Sequence, residues 1–148
     1  MTWLNVLTVL CIGLLAGVEL AVSVFVNPVL WKLDPPAAAE TVRTFARNLG
    51  AVMPFWYIAS LVLLLVELFT GWHGSGAGLL IASSAIWAAV IVLTLLFLVP
   101  INSRLAKLET GAWTEQAWRE HRKWDMRHRF RIAALVASWV CLLLAIHV

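Results

Sequence analysis

Residues 77–99 read AGLLIASSAIWAAVIVLTLLFLV and contain no charged side chain. A membrane-spanning helix needs about 20 mainly apolar residues, so this stretch is long enough to cross a bilayer. Three other stretches are similar, and the four predicted spans cover about residues 3–26, 51–70, 77–99 and 130–148. Because 62% of the 148 residues are hydrophobic and 13% charged, little chain is left for a separate soluble domain. The sequence therefore predicts an all-α integral membrane four-helix bundle, a single domain over residues 1–148.

The basic residues predict the orientation of this bundle. All 11 Lys and Arg residues lie either between spans one and two or between spans three and four, and the Gly-rich connection at 71–76 has none. Short cytoplasmic loops retain positive charge, so we expect both basic regions on the cytoplasmic side of the plasma membrane and both termini outside. The net charge of +3 then reflects orientation and attraction to anionic lipid headgroups. Nucleic acid is not needed as a partner.

Two acidic residues lie inside predicted spans. Glu19 lies about 10 Å inside the hydrocarbon boundary at a rise of about 1.5 Å per residue, a depth where an unpaired charge costs several kcal/mol. We therefore expect its side chain to point into the bundle. The alternative is a protonated carboxyl that only packs against a neighbouring helix. Glu67, near the outer end of span two, is instead expected to reach the outer interface.

The connections on the basic side carry helix breakers and amides. Span one is expected to end at Asn27-Pro28, and residues 37–48 to form a separate surface helix, a lid or a lipid contact, before span two begins near Ala51. Span three closes in Pro100-Ile101-Asn102. An asparagine is therefore predicted at the cytoplasmic end of both odd-numbered spans.

The stretch WREHRKWDMRHRFR, residues 118–131, concentrates charge, imidazole and indole before span four. No breaker follows Thr114, so the fourth helix is predicted to have a long cytoplasmic extension. One helix face carries Trp118, His121, Asp125 and His128, and an overlapping face carries Trp124, His128 and Arg131.

The length of the last span places part of this stretch in the membrane. Few residues remain after Arg131, so the span should begin near His128, which draws both side chains to the hydrocarbon edge. A histidine at that depth needs a partner. Glu19, Asn27 and Asn102 approach from the same side and could supply one. The result would be a cytoplasm-facing pocket suited to a flat aromatic molecule.

Several chemistries compete for this pocket. General acid–base catalysis by His128 requires the fewest groups beyond the residues already present, because an unperturbed imidazole titrates near neutrality. His121, Asp125 and His128 are also ligand types of non-haem iron, but the two histidines lie about 10 Å apart along a helix axis. Haem ligation by His128 has no attachment motif, and neither Cys11 nor Cys141 stands beside a base. No cofactor is required, and a metal or haem stays open.

A simpler interpretation is a basic juxtamembrane helix bound to lipid headgroups. It accounts for the arginines, but not for two imidazoles on one helix face.

Four motifs in order carry a family resemblance: Gly17-Val18-Glu19, Asn27-Pro28, Pro100-Ile101-Asn102, and Trp124 with His128 and Arg131. With its size and four spans, the chain resembles the anthrone oxygenase-like membrane proteins, a large domain-of-unknown-function family. The resemblance implies a small membrane monooxygenase that oxidises the methylene of a polycyclic phenol to a quinone carbonyl with molecular oxygen. It implies site roles for Asn102, Trp124, His128 and Arg131, and then for Glu19. His121 and Asp125 fall outside the motif and are expected to be a solvated continuation of the site.

The hypothesis assigns a role to each residue. His128 is the base, Arg131 and Asn102 stabilise the oxyanion, and Glu19 orients the base or accepts a second proton. Trp124 is a stacking wall, and the remaining substrate contacts are Asn27 and Trp118.

The rival class is a non-catalytic membrane module: a haem or metal carrier, a small transporter or an accessory subunit of a larger complex. A transporter should have polar groups on both sides of the membrane. The only charged or histidine residues in the outer half of the predicted bundle are Glu67, His73 and His147. The expected partners are a hydrophobic small molecule and a lipid bilayer with anionic headgroups. Four short helices bury little surface around a polar site, which favours a homo-oligomer of unspecified order.

Overall fold

The computed structural model describes residues 2–107 and 114–148, and these form four long helices. Each helix is long and apolar enough to cross a membrane: α1, Trp3–Leu30; α2, Pro35–Thr70; α3, Ala77–Leu105; and α4, Glu115–His147. The described residues include no strand. The predicted all-α four-helix membrane architecture is confirmed.

The helices form a closed bundle in which each contacts the next in sequence and α4 returns to α1. The most extensive contact joins α3 and α4. There Ser83 Oγ donates to the Ser138 carbonyl at 2.8 Å, and Ser138 Oγ donates to the Ser83 carbonyl at 2.9 Å. Small residues let membrane helices approach this closely, as the small-residue content of span three predicts.

Burial in the bundle follows the membrane pattern. Large apolar side chains such as Leu14, Phe55 and Leu96 are exposed on the outside, while a few ionisable side chains are enclosed between helices. Glu67 is one of the enclosed groups, only 4% exposed, and its Oε2 accepts a hydrogen bond from Asn5 Nδ2 at 2.9 Å. The expectation that Glu67 reaches the outer interface is therefore wrong, because α1 supplies a partner inside the bundle.

Both odd-numbered helices pass through a proline. A π-helical turn, Val22–Val26, precedes Pro28 in α1, and a second one, Thr94–Leu98, precedes Pro100 in α3. Proline lacks an N–H and its ring collides with the carbonyl four residues earlier, and a widened turn relieves this conflict. The helices therefore continue to Leu30 and Leu105, beyond the ends expected at Asn27-Pro28 and Pro100-Ile101-Asn102.

α2 is longer than the sequence predicts. It begins at Pro35 and runs unbroken to Thr70, with Pro54 in its interior. The expected separate surface helix at 37–48 is therefore wrong: these residues belong to the same continuous helix as the predicted span 51–70. The first turns of α2 bury Ala38, Ala39 and Val42 in one apolar cluster with Leu30 of α1 and Leu105 of α3. This packing holds the first turns of α2 against the bundle.

α4 begins where the sequence predicts. Thr114 caps the helix by accepting a hydrogen bond at Oγ1 from the Ala117 backbone N–H at 3.3 Å. The helix then runs to His147 without interruption. The end of the bundle that contains Leu30, Pro35, Leu105 and Thr114 carries the basic residues, and we call it the basic end.

Candidate active site

Glu19 is the centre of a buried polar cluster that joins three helices. The carboxyl is 2% exposed and receives hydrogen bonds from α2 and α4. Tyr57 Oη donates to Oε1 at 2.9 Å, and Arg131 Nη2 donates to Oε2 at 2.5 Å. His128 Nε2 lies 2.7 Å from the same Oε2. The carboxyl points into the bundle as expected, and its partners are a cation, an imidazole and a phenol.

His128 is fully enclosed, with an exposure of 0%. Because a carboxylate oxygen accepts, the short contact to Glu19 assigns the ring proton to Nε2. Nδ1 is then the basic nitrogen, and it has no hydrogen-bond partner among the described residues. His128 also lines a cavity of the bundle. Glu19 therefore fixes the ring orientation, and Nδ1 is left to take a proton.

Arg131 binds Glu19 through one N–H group and has further N–H groups that the cluster does not use. Its guanidinium lies 5.6 Å from the centre of the Tyr57 ring while Nη2 binds Glu19. Its Nε has no hydrogen-bond partner in the described part of the chain. Arginine presents five N–H donors, so this side chain can hold Glu19 and still donate to a ligand oxygen.

A cavity of about 460 Å³ adjoins this cluster. Glu19, Asn27, Asn102, His128 and Arg131 are among its polar lining residues, so the structure brings these five predicted residues to one space. Most of the remaining wall is apolar, contributed by Val22, Val26, Leu30, Met53, Ile91 and Leu95. An apolar chamber with a few convergent polar groups is the usual form of a small-molecule site.

The indoles divide into two groups. Trp124 lines the cavity, with its ring centre 4.5 Å from that of His128, and its Nε1 has no hydrogen-bond partner among the described residues. Trp118 instead stacks on Trp31, with ring centres 4.8 Å apart and planes at 18°. It is not among the described residues that line the cavity, so its predicted contact with substrate lacks structural support.

His121 and Asp125 are both buried, which corrects the expectation of a solvated continuation of the site. His121 lines the cavity between Trp31 and Trp124, with ring centres 5.1 and 5.8 Å away. Asp125 accepts a 2.6 Å hydrogen bond from Asn27 Nδ2 and pairs with Arg129 at 3.0 Å. It therefore anchors α4 to α1 at the basic end.

A metal centre at His121, Asp125 and His128 would need three converging ligands. Across residues 2–107 and 114–148, no three His, Cys, Asp or Glu side chains are grouped so that they could hold a metal ion. His128 Nε2 is directed to Glu19 and Asp125 is bonded to Asn27 and Arg129. His128 and Asp125 are therefore directed to other partners rather than to a shared ion.

Sequence reasoning missed two residues of the cavity wall. Tyr57 donates to Glu19, and Thr94 lies in the π-helical turn of α3 with its hydroxyl unpaired within the described chain. Tyr57 is the only tyrosine and lies inside an apolar span. That isolated phenol was the signal available in the sequence. No comparable signal marks Thr94, because the widened turn that positions it is not visible in a local pattern.

Comparison with known families gives one result. A family model described as anthrone oxygenase matches residues 41–141, well over half of the chain. The matched part includes Tyr57, Asn102, Trp124, His128 and Arg131, whereas Glu19 and Asn27 precede it. Searches of curated proteins and of solved structures give no match. The chain therefore belongs to the anthrone oxygenase-like family of four-helix membrane proteins.

Proposed function

We propose that this protein is a membrane oxygenase that converts the methylene of an anthrone-like polycyclic phenol to a quinone carbonyl. The observation that carries the proposal is the Glu19–His128 pair in the cavity lining, with Nδ1 of the imidazole left without a hydrogen-bond partner among the described residues. Membership of the anthrone oxygenase-like family supports the same reaction class. The apolar walls suit a flat aromatic substrate.

The first step is removal of a proton from the substrate carbon by His128 Nδ1. The Glu19 carboxylate, 2.7 Å from Nε2, stabilises the imidazolium that forms, so Glu19 acts as a positioning residue. The negative charge spreads from the carbon onto the substrate oxygen. Arg131 and Asn102, both in the cavity wall, supply the donors that stabilise this oxyanion. Exclusion of water strengthens each of these interactions.

The second step is reaction of the electron-rich carbon with molecular oxygen. A C–O bond forms and gives a hydroperoxide, and loss of water then leaves the carbonyl. Conversion of the methylene to a carbonyl releases four electrons, and reduction of one O₂ consumes four. One oxygen atom enters the product and the other leaves as water. The residues of this chain provide the base, the oxyanion donors and the dry cavity.

The experiment is turnover by the purified protein in lipid nanodiscs supplied with a hydroxylated anthrone in air. We expect quinone formation above the rate of heat-denatured protein, with one O₂ consumed per quinone. No turnover across a panel of hydroxylated anthrones would refute the proposal. Tight binding of the phenol without oxidation would favour a non-catalytic carrier instead.

We also propose that the basic end faces the cytoplasm and that both termini lie outside. All 11 Lys and Arg residues lie in two stretches at that end, residues 32–47 and 104–131, and this clustering supports the orientation. In a bacterial host, alkaline phosphatase fused after Val148 should be active and green fluorescent protein at the same position dark. Bright fluorescence with an inactive phosphatase would reverse the assignment.

A further inference from the structure

We propose that substrate enters the cavity sideways from the bilayer, through an opening between α2 and α3 that Gly50 keeps wide. A consequence is that the site accepts phenols with an apolar chain on the ring edge remote from the reacting carbon. This inference rests on the proposed function for the chemistry of its ligand. We call the opening the α2–α3 slit; Gly50, Pro54 and Ile58 form its α2 side, and Leu95 and Val99 its α3 side.

The cavity extends from the bundle interior to its outer surface. Its deepest residues, Glu19, Asn27 and His128, are at most 2% exposed. The same cavity is lined by Ile58, which is 53% exposed, and by Leu95, which is 59% exposed. Both belong to membrane-spanning helices, so the surface they reach is the one that lipid covers.

The slit follows one face of each helix. On α2 the lining residues Ala46, Gly50, Pro54 and Ile58 recur every four positions, and on α3 Leu95, Val99 and Ser103 do the same. Residues four apart lie on one helix face, so two parallel walls face each other. Twelve residues of helix from Ala46 to Ile58 give the wall a length of about 18 Å.

Contacts between α2 and α3 close both ends of this opening. Towards the membrane interior, Trp87 Nε1 donates to the Tyr57 carbonyl at 3.0 Å, and the two rings are 5.7 Å apart. At the basic end, Arg47 Nε donates to the Ala106 carbonyl at 3.3 Å. Gly50 lies on the α2 wall between these two contacts and contributes no side chain to the opening. A Cβ placed on Gly50 would have no atom within 4 Å, so the space beside it is open.

The position of the polar groups sets the ligand orientation. Glu19, His128 and Arg131 lie at the inner end of the cavity, so the reacting part of a phenol must point inward. Its opposite edge then faces the slit and the lipid. An alkyl or isoprenoid chain on that edge would remain in the bilayer, where its apolar surface costs nothing to solvate.

Photolabelling tests this route without any need for turnover. The probe is a hydroxyanthrone with an alkyl diazirine chain on the edge remote from the methylene, irradiated in nanodiscs and mapped by mass spectrometry. We expect labels on Ile58, Leu95 or Val99 that an excess of unlabelled hydroxyanthrone removes. Labels confined to the basic end near Arg47 and Ser103, or no competable label in the slit, would overturn the proposal and indicate entry from water.

A substitution in the slit gives the second measurement. Gly50→Phe should fill the opening and lower both slit labelling and kcat/KM by about tenfold or more, with Gly50→Leu in between. Ala51→Phe is the matched control, since Ala51 is exposed on the same helix and is not one of the described cavity-lining residues. Equal labelling in a folded Gly50→Leu variant and the wild type would contradict the role of Gly50.

The two proposals fail in different ways. Competable slit labelling without quinone formation would refute the oxygenase and leave the lateral route standing. Quinone formation without slit labelling would refute the route and leave the oxygenase standing.

Discussion

Replacing His128 with alanine is expected to slow quinone formation by about 10²- to 10⁴-fold, the usual contribution of a positioned general base. The substitution removes the only imidazole bonded to Glu19 among the described residues, and with it the nitrogen that takes the substrate proton. Arg131 and the apolar walls remain, so binding of the phenol should change less than turnover. The measurement is kcat and KM for a hydroxyanthrone in nanodiscs.

Two comparisons separate catalysis from damage to the fold. His73→Ala removes an exposed histidine at the opposite end of the bundle and should leave turnover unchanged. Added imidazole should partly restore the activity of His128→Ala, because the deleted ring leaves a space beside Glu19. A His128→Ala variant that oxidises the phenol at the wild-type rate would remove His128 from the mechanism.

Glu19→Ala is expected to destabilise the bundle by about 3–5 kcal/mol, the range seen when one partner of a buried ion pair is deleted. The variant would leave Arg131, whose side chain is 11% exposed, without its carboxylate, and would also remove the acceptor for Tyr57 and His128. Reversible unfolding in mixed micelles, followed by tryptophan fluorescence, gives the free energy of unfolding.

A surface ion pair on α4 provides the matched control. Glu115 pairs with Arg119 at 2.8 Å, but both side chains are well exposed, so Glu115→Ala should cost less than about 1 kcal/mol. Arg131→Met should recover part of the loss in the Glu19→Ala background, because it removes the unpaired cation. Equal destabilisation by Glu19→Ala and Glu115→Ala would show that the buried cluster contributes little to stability.

The sequence was sufficient to predict the four spans and the approach of His128 and Arg131 to Glu19. Both predictions use quantities that can be counted along the sequence. The length of each apolar run predicts the spans, and the rise per residue of a helix gives the depth of each polar residue. In a small bundle, few other polar groups lie within reach of a charged side chain at a given depth in the membrane. The same reasoning placed Asn27 and Asn102 on the same side of the bundle, and both line the cavity.

The features that the sequence did not predict depend on helix rotation and on backbone irregularity. Asp125 looked solvated because its neighbours are charged, but it bonds Asn27 across the bundle. The π-helical turns carry α1 and α3 past prolines that normally mark a helix end. Likewise, no local pattern shows that α2 continues through Pro54 or that the side chain of Tyr57 turns towards Glu19.

The central claim is that the Glu19–His128 cluster prepares a phenol for reaction with molecular oxygen. Its most direct test is mass spectrometry of the quinone formed under ¹⁸O₂ by the wild type and by His128→Ala. The account predicts one labelled carbonyl oxygen per quinone from the wild type, formed far faster than by the variant. Quinone whose new oxygen comes from water, or equal labelled yields with and without His128, would contradict it.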